Sequence, residues 1–172
     1  MSDLPVRDIA RALVFDPHQR LLLIAYEAVR DVDPARPGLR RFWFLPGGGL
    51  DEGEDHETAL RRELDEEIGI RDARIGPLVG RCEGSFRLFR TPRFARERYF
   101  VVRLHDDRID TARLAETEDN PVLDVRWWPL IDLKETDEFV EPQGLALLAQ
   151  RIIEGDPPAL AAPPTAPEVL PE

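Results

Sequence analysis

The chain has 172 residues, of which 42% are hydrophobic and 33% charged, and its formal net charge is −11. This size and composition predict one acidic, water-soluble domain, because single domains most often contain roughly 100–150 residues. The acidic balance argues against nonspecific binding of a nucleic acid polymer, which depends on basic side chains that neutralise phosphates.

The first half of the sequence predicts short strands separated by polar segments. Residues 9–15 and 21–25 are β-prone runs on either side of a turn-rich gap, a pattern typical of a hairpin. Residues 27–40 are polar and contain two prolines and a glycine, which predicts a surface insertion that forms either a lid or a plain loop. Residues 42–45 then predict an aromatic strand.

The second half of the sequence predicts one central helix and one closing helix among further strands. After a glycine-rich loop at 47–49, Asp55 can cap a helix that runs to about Glu67, and Gly69 can end it. Strands are expected at residues 75–82, 99–104 and 122–128, and a helix at 143–153. This order predicts an α/β or α+β class with a mixed sheet, a domain over residues 1–155 and a Pro/Ala-rich disordered tail over 156–172.

No stretch of the sequence predicts a membrane span or a secretory signal. The longest mostly apolar run, residues 12–28, is interrupted by charged and polar residues and falls short of the about 20 residues of a membrane helix. The N-terminal residues lack the basic start and apolar run of a signal peptide, so a cytoplasmic protein is expected.

Cysteine and histidine usage predicts that any metal ion would be held by carboxylates. Cys82 is the only cysteine, which excludes an intramolecular disulfide and a thiolate zinc site. The histidines His18, His56 and His105 are far apart in sequence. Oxygen ligands favour magnesium, manganese or calcium over zinc.

The central helix carries a cluster of acidic residues beside its apolar stripe. Leu60, Leu64 and Ile68 recur every four residues and predict the buried face. Glu63, Glu66 and Glu67 are related by three and four residues, so they share a neighbouring face, where like charges repel by a few tenths of a kcal/mol per pair. Such a face is often only solvated, but a divalent cation shared by the acids would relieve the repulsion.

Two further features around the acids suit a metal and phosphate site. Gly48 and Gly49 allow the backbone to approach a ligand closely. Arg62 can hold carboxylates such as Glu54 bidentately and so orient the acids.

The complete spacing of this segment resembles the signature of the Nudix hydrolases. It consists of Gly48, five residues, Glu54, seven residues, Arg62-Glu63-Leu64, one residue, Glu66-Glu67, one residue and Gly69-Ile70. Every specified position matches, and looser similarity extends over residues 7–153. The resemblance implies an α/β/α sandwich with a mixed sheet, in which the motif forms a loop-helix-loop.

The resemblance also implies a reaction and a set of site residues. The expected reaction is hydrolysis of a diphosphate bond in a nucleoside triphosphate or in a nucleoside diphosphate linked to another moiety, with Mg²⁺ or Mn²⁺ as cofactor. The expected partner is a small nucleotide, and the resemblance is compatible with a homodimer. By motif position, the implied metal ligands are Gly48, Glu63, Glu66 and Glu67, while Glu54 supports the site, Arg62 orients the acids, and Leu64 and Ile70 pack.

The residue that accepts a proton from the attacking water stays open at this point. A metal-bound water needs a carboxylate acceptor. Glu66 or Glu67 is one choice, and Glu116 or Glu118, before the last strand, is the other.

Substrate contacts are expected outside the motif. Residues 86–98 have a local charge of +4 from five arginines and one acid, in a chain of net charge −11. Arginines could bind phosphate while phenylalanines stack on a base, although an exposed, solubilising hairpin loop explains the composition equally well. The candidate residues are Arg87, Phe89, Arg90 and Arg93, with Arg40 and Arg41 before the aromatic strand as a second phosphate clamp.

Two alternatives to a nucleotide hydrolase follow from the same resemblance. One is a nucleotide-sensing module with this fold and no turnover, which would have no need of all three acids. The other is isopentenyl-diphosphate isomerase chemistry, which calls for a modified motif, whereas this motif is unaltered. Markers of the ADP-ribose, dinucleoside polyphosphate and NADH subfamilies are absent, and Ser85 stands where the ADP-ribose enzymes often have proline.

Overall fold

A computed structural model of the chain describes residues 3–155. The tail that the sequence predicts over residues 156–172 lies outside this range. The described part contains seven strands and four helices. The strands are β1 Val6–Phe15, β2 Leu21–Glu27, β3 Arg41–Phe44, β4 Gly47–Gly49, β5 Ile75–Phe86, β6 Arg93–Arg103 and β7 Val122–Trp128, and the helices are α1 His56–Ile68, α2 Leu114–Thr117, α3 Leu130–Glu135 and α4 Leu145–Ile153.

Strand β1 is the centre of a mixed seven-stranded sheet. It pairs in parallel with β6 along its whole length, and β5 pairs antiparallel with β6. Its other edge is divided between two antiparallel neighbours: β4 pairs with residues 9–11, and β2 pairs at Phe15. Strand β2 in turn pairs with β3 and β7. The short β4 therefore runs beside the middle of the sheet.

Both faces of β1 are buried from Ile9 onwards, in line with the mostly apolar sequence of residues 9–15. Ala10, Ala12 and Val14 face α1 and pack with its predicted stripe of Leu60, Leu64 and Ile68. The alternate residues of β1 face a larger core that includes apolar residues of α3 and α4. The sheet is thus covered by helices on both faces, which confirms the expected α/β/α sandwich.

The ends of α1 are set by the two residues that the sequence singles out. The Asp55 side chain accepts a hydrogen bond from the Thr58 amide at 2.7 Å, which satisfies one free amide of the first turn. Gly69 has φ of 70° and ends the helix in the left-handed conformation.

Other boundaries differ from the predictions. Residues 47–49, expected as a loop, form a short strand because their backbone pairs with β1. Strands β5 and β6 extend to residues 86 and 93, so much of the arginine-rich segment is strand and only residues 87–92 form the connecting loop. Helices α2 and α3 were not predicted. Within residues 3–155, no helix is long and apolar enough to cross a bilayer.

Candidate active site

The acids of α1 contact the backbone of β4 because β4 has no side chains. An ideal Cβ on Gly48 would lie 2.4 Å from Glu63 Oε1. Gly47 has φ of 130°, and a Cβ there would lie 2.1 Å from the Ala10 carbonyl oxygen. A side chain at Gly47 would clash with the backbone of β1, and one at Gly48 would displace the Glu63 carboxylate or push β4 away from α1. The two glycines therefore fix the distance between the backbone and the acidic face of the helix.

Arg62 connects the acids of the site to one another. Its Nε and Nη2 donate to the two carboxylate oxygens of Glu54, both at 2.9 Å. Its Nη1 donates to Glu63 Oε1 at 2.9 Å, and Nη2 also donates to the Gly49 carbonyl at 2.9 Å. Hydrogen bonds from Arg62 hold the pKa of Glu54 at about 2. The orienting role expected of Arg62 thus has a geometric basis, although Glu66 Oε2 is more distant at 3.6 Å.

Glu67 is the fully buried acid of the site. Its Oε2 accepts a hydrogen bond from the Gly47 amide at 2.8 Å, while its Oε1 is buried and accepts none. Burial and the neighbouring carboxyl group of Glu118 raise the pKa of Glu67 well above its usual range. A buried carboxylate beside a second carboxylate is costly unless a proton or a cation lies between them.

Glu118 rather than Glu116 comes to the acids of α1. Glu118 lines the same cavity as Glu63, whereas Glu116 is exposed on α2. The buried Asn120 fixes this segment: its Nδ2 donates to the carbonyl groups of Glu27 and Leu88, and its Oδ1 accepts from the Arg90 amide. The three bonds join the Asn120 segment to the end of β2 and to the loop at residues 87–92, so Asn120 sets the position of Glu118, two residues earlier.

Arg11 is a site residue that the sequence reasoning missed. It lies on β1, is 3% exposed, and its guanidinium stacks 4.2 Å above the Phe44 ring. It donates to the carbonyl groups of Leu45 and Gly47 and, at 3.3 Å, to Glu97. Burial acts to lower the pKa of Arg11, but the carboxylates of Glu97 and Glu67 raise it overall. The available signal was that Arg11 is the one charged residue in the otherwise apolar run of residues 9–15.

Arg93 is the predicted substrate residue that the structure brings to the acids. Its guanidinium lies 4.9 Å above the ring of Phe89, and its Nε is buried without a hydrogen bond. Burial and the charge of Arg11 lower the pKa of Arg93. Both arginines line a cavity of about 150 Å³, which is otherwise formed by Gly47, Gly48, Gly49, Glu63, Phe89, Glu118 and Asp119.

Other predicted substrate residues lie elsewhere. Arg41 is paired with Asp124 and Glu138 and stacks on Trp43, so it faces away from the cavity. Arg90 is exposed and does not line the cavity, and neither does Arg87. Phe86 and Phe89 pack in a buried aromatic cluster with Phe42 and Phe44, and of these four only Phe89 reaches the cavity.

The donor atoms of the cavity suit a hard divalent cation. Within residues 3–155, no three His, Cys, Asp or Glu side chains are already arranged as a metal site. The acids that meet here nevertheless offer oxygen ligands: Glu63 and Glu118 line the cavity, and Glu67 is bonded to the amide of Gly47, which also lines it. Glu67 Oε1 is a buried oxygen with no hydrogen-bond partner, which is what a cation ligand requires.

Comparison with known proteins identifies the family. The profile of the NUDIX domain matches residues 5–150. The chain belongs to the Nudix family. RNA pyrophosphohydrolases from Methylococcus capsulatus and Sphingopyxis alaskensis are both 30% identical to it, over 72% and 67% of this chain and 71% and 76% of the relative.

Other matches are shorter or structural. An RNA pyrophosphohydrolase from Pelagibacter ubique is 44% identical over 45 residues, and the matched part spans about a quarter of that relative, 27%. A MutT protein from Methanosarcina mazei has a TM-score of 0.61 at 20% identity, over 91% of this chain and 99% of that one. The Nudix domain of Shewanella oneidensis NrtR, solved with ADP ribose, has a TM-score of 0.59 at 21% identity, over 89% and 90%. These structures share the Nudix fold.

Proposed function

We propose that this chain is a Nudix hydrolase that uses Mg²⁺ or Mn²⁺ to cut a diphosphate bond in a nucleotide. The observation that carries the proposal is the buried, unbonded Oε1 of Glu67 beside Glu118, with Arg11 and Arg93 lining the same cavity. Acids that need a cation and arginines that suit phosphate oxygens are the two halves of a metal–diphosphate site.

The chain would supply the metal ligands, the residues that orient those ligands and the arginines that bind phosphate. The Gly48 carbonyl and the carboxylates of Glu63, Glu66 and Glu67 would hold the metal, which when bound neutralises the diphosphate and lowers the pKa of a bound water. Arg62 and Glu54 keep Glu63 in place. Arg11 and Arg93 would bind non-bridging phosphate oxygens, since Arg11 is buried and the partly buried Arg93 has a buried Nε without a hydrogen bond.

We assign the role of general base to Glu118. Glu67 accepts a hydrogen bond from the Gly47 amide and would be a metal ligand, the Glu66 side chain is a third exposed, and Glu116 lies outside the cavity lining. Glu118 lines the cavity and borders the acids of α1, so it can accept the proton of an attacking water. The hydrogen bonds of Asn120 would hold it there.

The substrate is either a small nucleotide or the 5′ end of an oligonucleotide. The first suits a cavity of about 150 Å³ that is lined by both acids and arginines. The second is favoured by the relatives named RNA pyrophosphohydrolase. A panel of nucleoside triphosphates, nucleotide sugars, dinucleotides and 5′-triphosphorylated oligonucleotides, each with Mg²⁺ or Mn²⁺, tests both through release of phosphate or pyrophosphate.

Variants of the acids test the assignment of the site. Glu67→Gln and Glu118→Gln should each lower kcat at least about a hundredfold, the effect typical of losing one key electrostatic group. Glu116→Gln is the matched control, and its kcat should stay within about twofold of wild type. Full activity of Glu67→Gln would overturn the metal assignment. Nucleotide binding without turnover of any panel member would indicate the sensing module instead.

A further inference from the structure

Two polar residues of β6 lie beside Arg11 in the interior of the sheet. In the parallel pairing of β1 with β6, Tyr99 is directly opposite Arg11, and Glu97 lies two residues earlier on the same face of its strand. This face points away from α1, since Ala10 and Ala12 pack against that helix. All three side chains are buried, with exposed fractions of 3% for Arg11, 7% for Glu97 and 0% for Tyr99. They form a polar cluster beside the larger core.

A chain of hydrogen bonds connects this cluster to the acids of the site. Glu97 uses one carboxylate oxygen for each partner: Oε2 accepts from the Tyr99 hydroxyl at 2.6 Å, and Oε1 accepts from Nε of Arg11 at 3.3 Å. Nη1 of Arg11 donates to the Gly47 carbonyl at 2.7 Å, and the Gly47 amide donates to Glu67 at 2.8 Å. The chain therefore runs from the interior of the sheet to the buried acid of α1.

Tyr99 is a fixed hydrogen-bond donor in this chain. Burial and the charge of Glu97 raise the pKa of Tyr99 well above its usual range, so the hydroxyl keeps its proton. Its bond to Oε2 leaves Oε1 of Glu97 for Arg11. Glu97 is therefore held by Tyr99 on one side and can hold Arg11 on the other.

The polar cluster is not needed to join the strands around it. Strand β6 pairs with the whole length of β1, β4 pairs with residues 9–11, and the Ala12 amide donates to the Pro46 carbonyl at 2.9 Å. Replacing a buried ion pair by apolar residues of similar size is often neutral or stabilising. Strand pairing and stability therefore do not account for three buried polar side chains at this place.

The contacts of Arg11 fix the direction of its guanidinium group, which is planar and rigid. The Phe44 ring, 4.2 Å away, supports one side of the group, and the bonds of Nε and Nη1 set its rotation. Within residues 3–155, these are the two guanidinium nitrogens that bond to the protein. Arg11 also lines the catalytic cavity, so Nη2 is left to bind a ligand there.

We propose that Glu97 and Tyr99 are positioning residues for the hydrolysis reaction, which hold Arg11 so that its Nη2 binds a phosphate oxygen of the substrate. This inference rests on the proposed function and adds two residues to it. Glu97 acts through its bond to Arg11, and Tyr99 acts through Glu97, so neither touches the substrate. A guanidinium that is already oriented loses less freedom when phosphate binds than one that must be ordered at that moment.

A double-mutant cycle tests whether Glu97 acts through Arg11. Wild type, Glu97→Gln, Arg11→Gln and the double variant are compared by steady-state kinetics with the panel member that wild type cleaves fastest. Glu97→Gln should lower kcat/KM at least about tenfold, mainly through KM, because Arg11 loses its charged acceptor. In the Arg11→Gln background, the same substitution should lower kcat/KM less than about twofold. A residue that only stabilised the fold would leave KM of the folded protein unchanged.

Two further variants complete the experiment. Tyr99→Phe removes only the hydroxyl and should lower kcat/KM about threefold, again through KM, which keeps the proposal testable if Glu97→Gln does not fold. Glu83→Gln is the matched control, because it removes one negative charge from an exposed position of the neighbouring β5, in register with Arg96. Its kcat/KM should stay within about twofold of wild type. Circular dichroism and urea denaturation verify that each variant folds.

The outcomes separate this inference from the proposed function. A wild type that cleaves no member of the panel would overturn both. If wild type does cleave, a normal KM in Glu97→Gln and Tyr99→Phe overturns the inference alone. Equal losses from Glu97→Gln in the two Arg11 backgrounds, or an equal loss in Glu83→Gln, would also overturn it.

Discussion

Glu63 Oε1 occupies the space that the side chain of residue 48 would need, since an ideal Cβ on Gly48 would lie 2.4 Å from it. In Gly48→Ala the carboxylate must move away from Arg62 or β4 must separate from α1. We expect kcat to fall at least about tenfold and the apparent metal affinity to fall with it, as measured by kinetics over a Mg²⁺ titration.

Gly49→Ala is the control for that substitution. A Cβ there would have the Asp8 carbonyl oxygen as its nearest neighbour, at 3.9 Å, an ordinary contact. Its apparent metal affinity should change far less than that of Gly48→Ala. Equal losses in the two variants would show that the loss comes from backbone stiffening and not from displacement of Glu63.

Arg62→Lys should lower kcat about ten- to a hundredfold while the protein still folds. Arg62 makes four hydrogen bonds of 2.9 Å, and an ammonium group cannot reproduce the bidentate pair with Glu54. The neighbouring substitution Arg61→Lys is the control, because Arg61 contacts Glu57 and the Ala73 carbonyl away from the cavity. Near-normal kcat in Arg62→Lys would mean that charge alone suffices there.

Arg93→Ala should raise KM for the best substrate about tenfold or more, with a smaller change in kcat. The partly buried guanidinium lines the cavity and lies over Phe89, where it can bind phosphate in the ground state and in the transition state alike. Arg90→Ala should leave KM within about twofold, because the side chain is exposed outside the cavity lining. Steady-state kinetics of both variants measure KM. A larger increase in KM for Arg90→Ala than for Arg93→Ala would indicate that the loop at residues 87–92 binds the phosphates instead.

Glu141 makes stability depend on pH. Burial raises the pKa of Glu141 from 4.5 to about 8, so the folded protein binds this proton more tightly than the unfolded chain does. The stability it contributes is present at low pH and is lost as pH rises between about 4.5 and 8, by up to about 1.4 kcal/mol per pH unit.

The substitution Glu141→Gln should flatten that dependence and raise the free energy of unfolding at pH 8 relative to wild type. Urea denaturation at several pH values between 5 and 9 measures both. Glu135→Gln, at an exposed position of α3, should change neither. A wild-type stability that is constant from pH 5 to 8 would contradict the assignment.

Local features of the site were predictable from sequence, because they depend on residues close together in the chain. Asp55 and Gly69 fix the ends of α1, and helical periodicity places Glu63 and Glu67 on one face. The choice between Glu116 and Glu118 was not predictable in this way. It depends on the bonds of Asn120 to segments about 30 and 90 residues away.

The predicted substrate residues, like the acids, could be identified only in part from the sequence. The composition of residues 86–98 is unusual, but strand register and loop position place its arginines at different sites. Arg93 lines the cavity, whereas Arg98 lies opposite Arg81 of β5. Arg41 was predicted to bind phosphate as a charge beside an aromatic strand, but it is instead paired with Asp124 of β7 and with Glu138. Arg11 was not predicted as a site residue, because the apolar run around it predicts a strand whether or not it contains a single charge.

Arg11 and Glu97 are 86 positions apart, on strands that pair in parallel. The contact between them forms only after the long intervening segment has been ordered, so we expect it to be one of the slower contacts to form. On the ribosome, the whole acidic helix emerges well before β6 and the segment that carries Glu118. A nascent chain of about 75 residues would therefore contain every motif acid and Arg11, yet lack both Glu97, which binds Arg11, and Glu118.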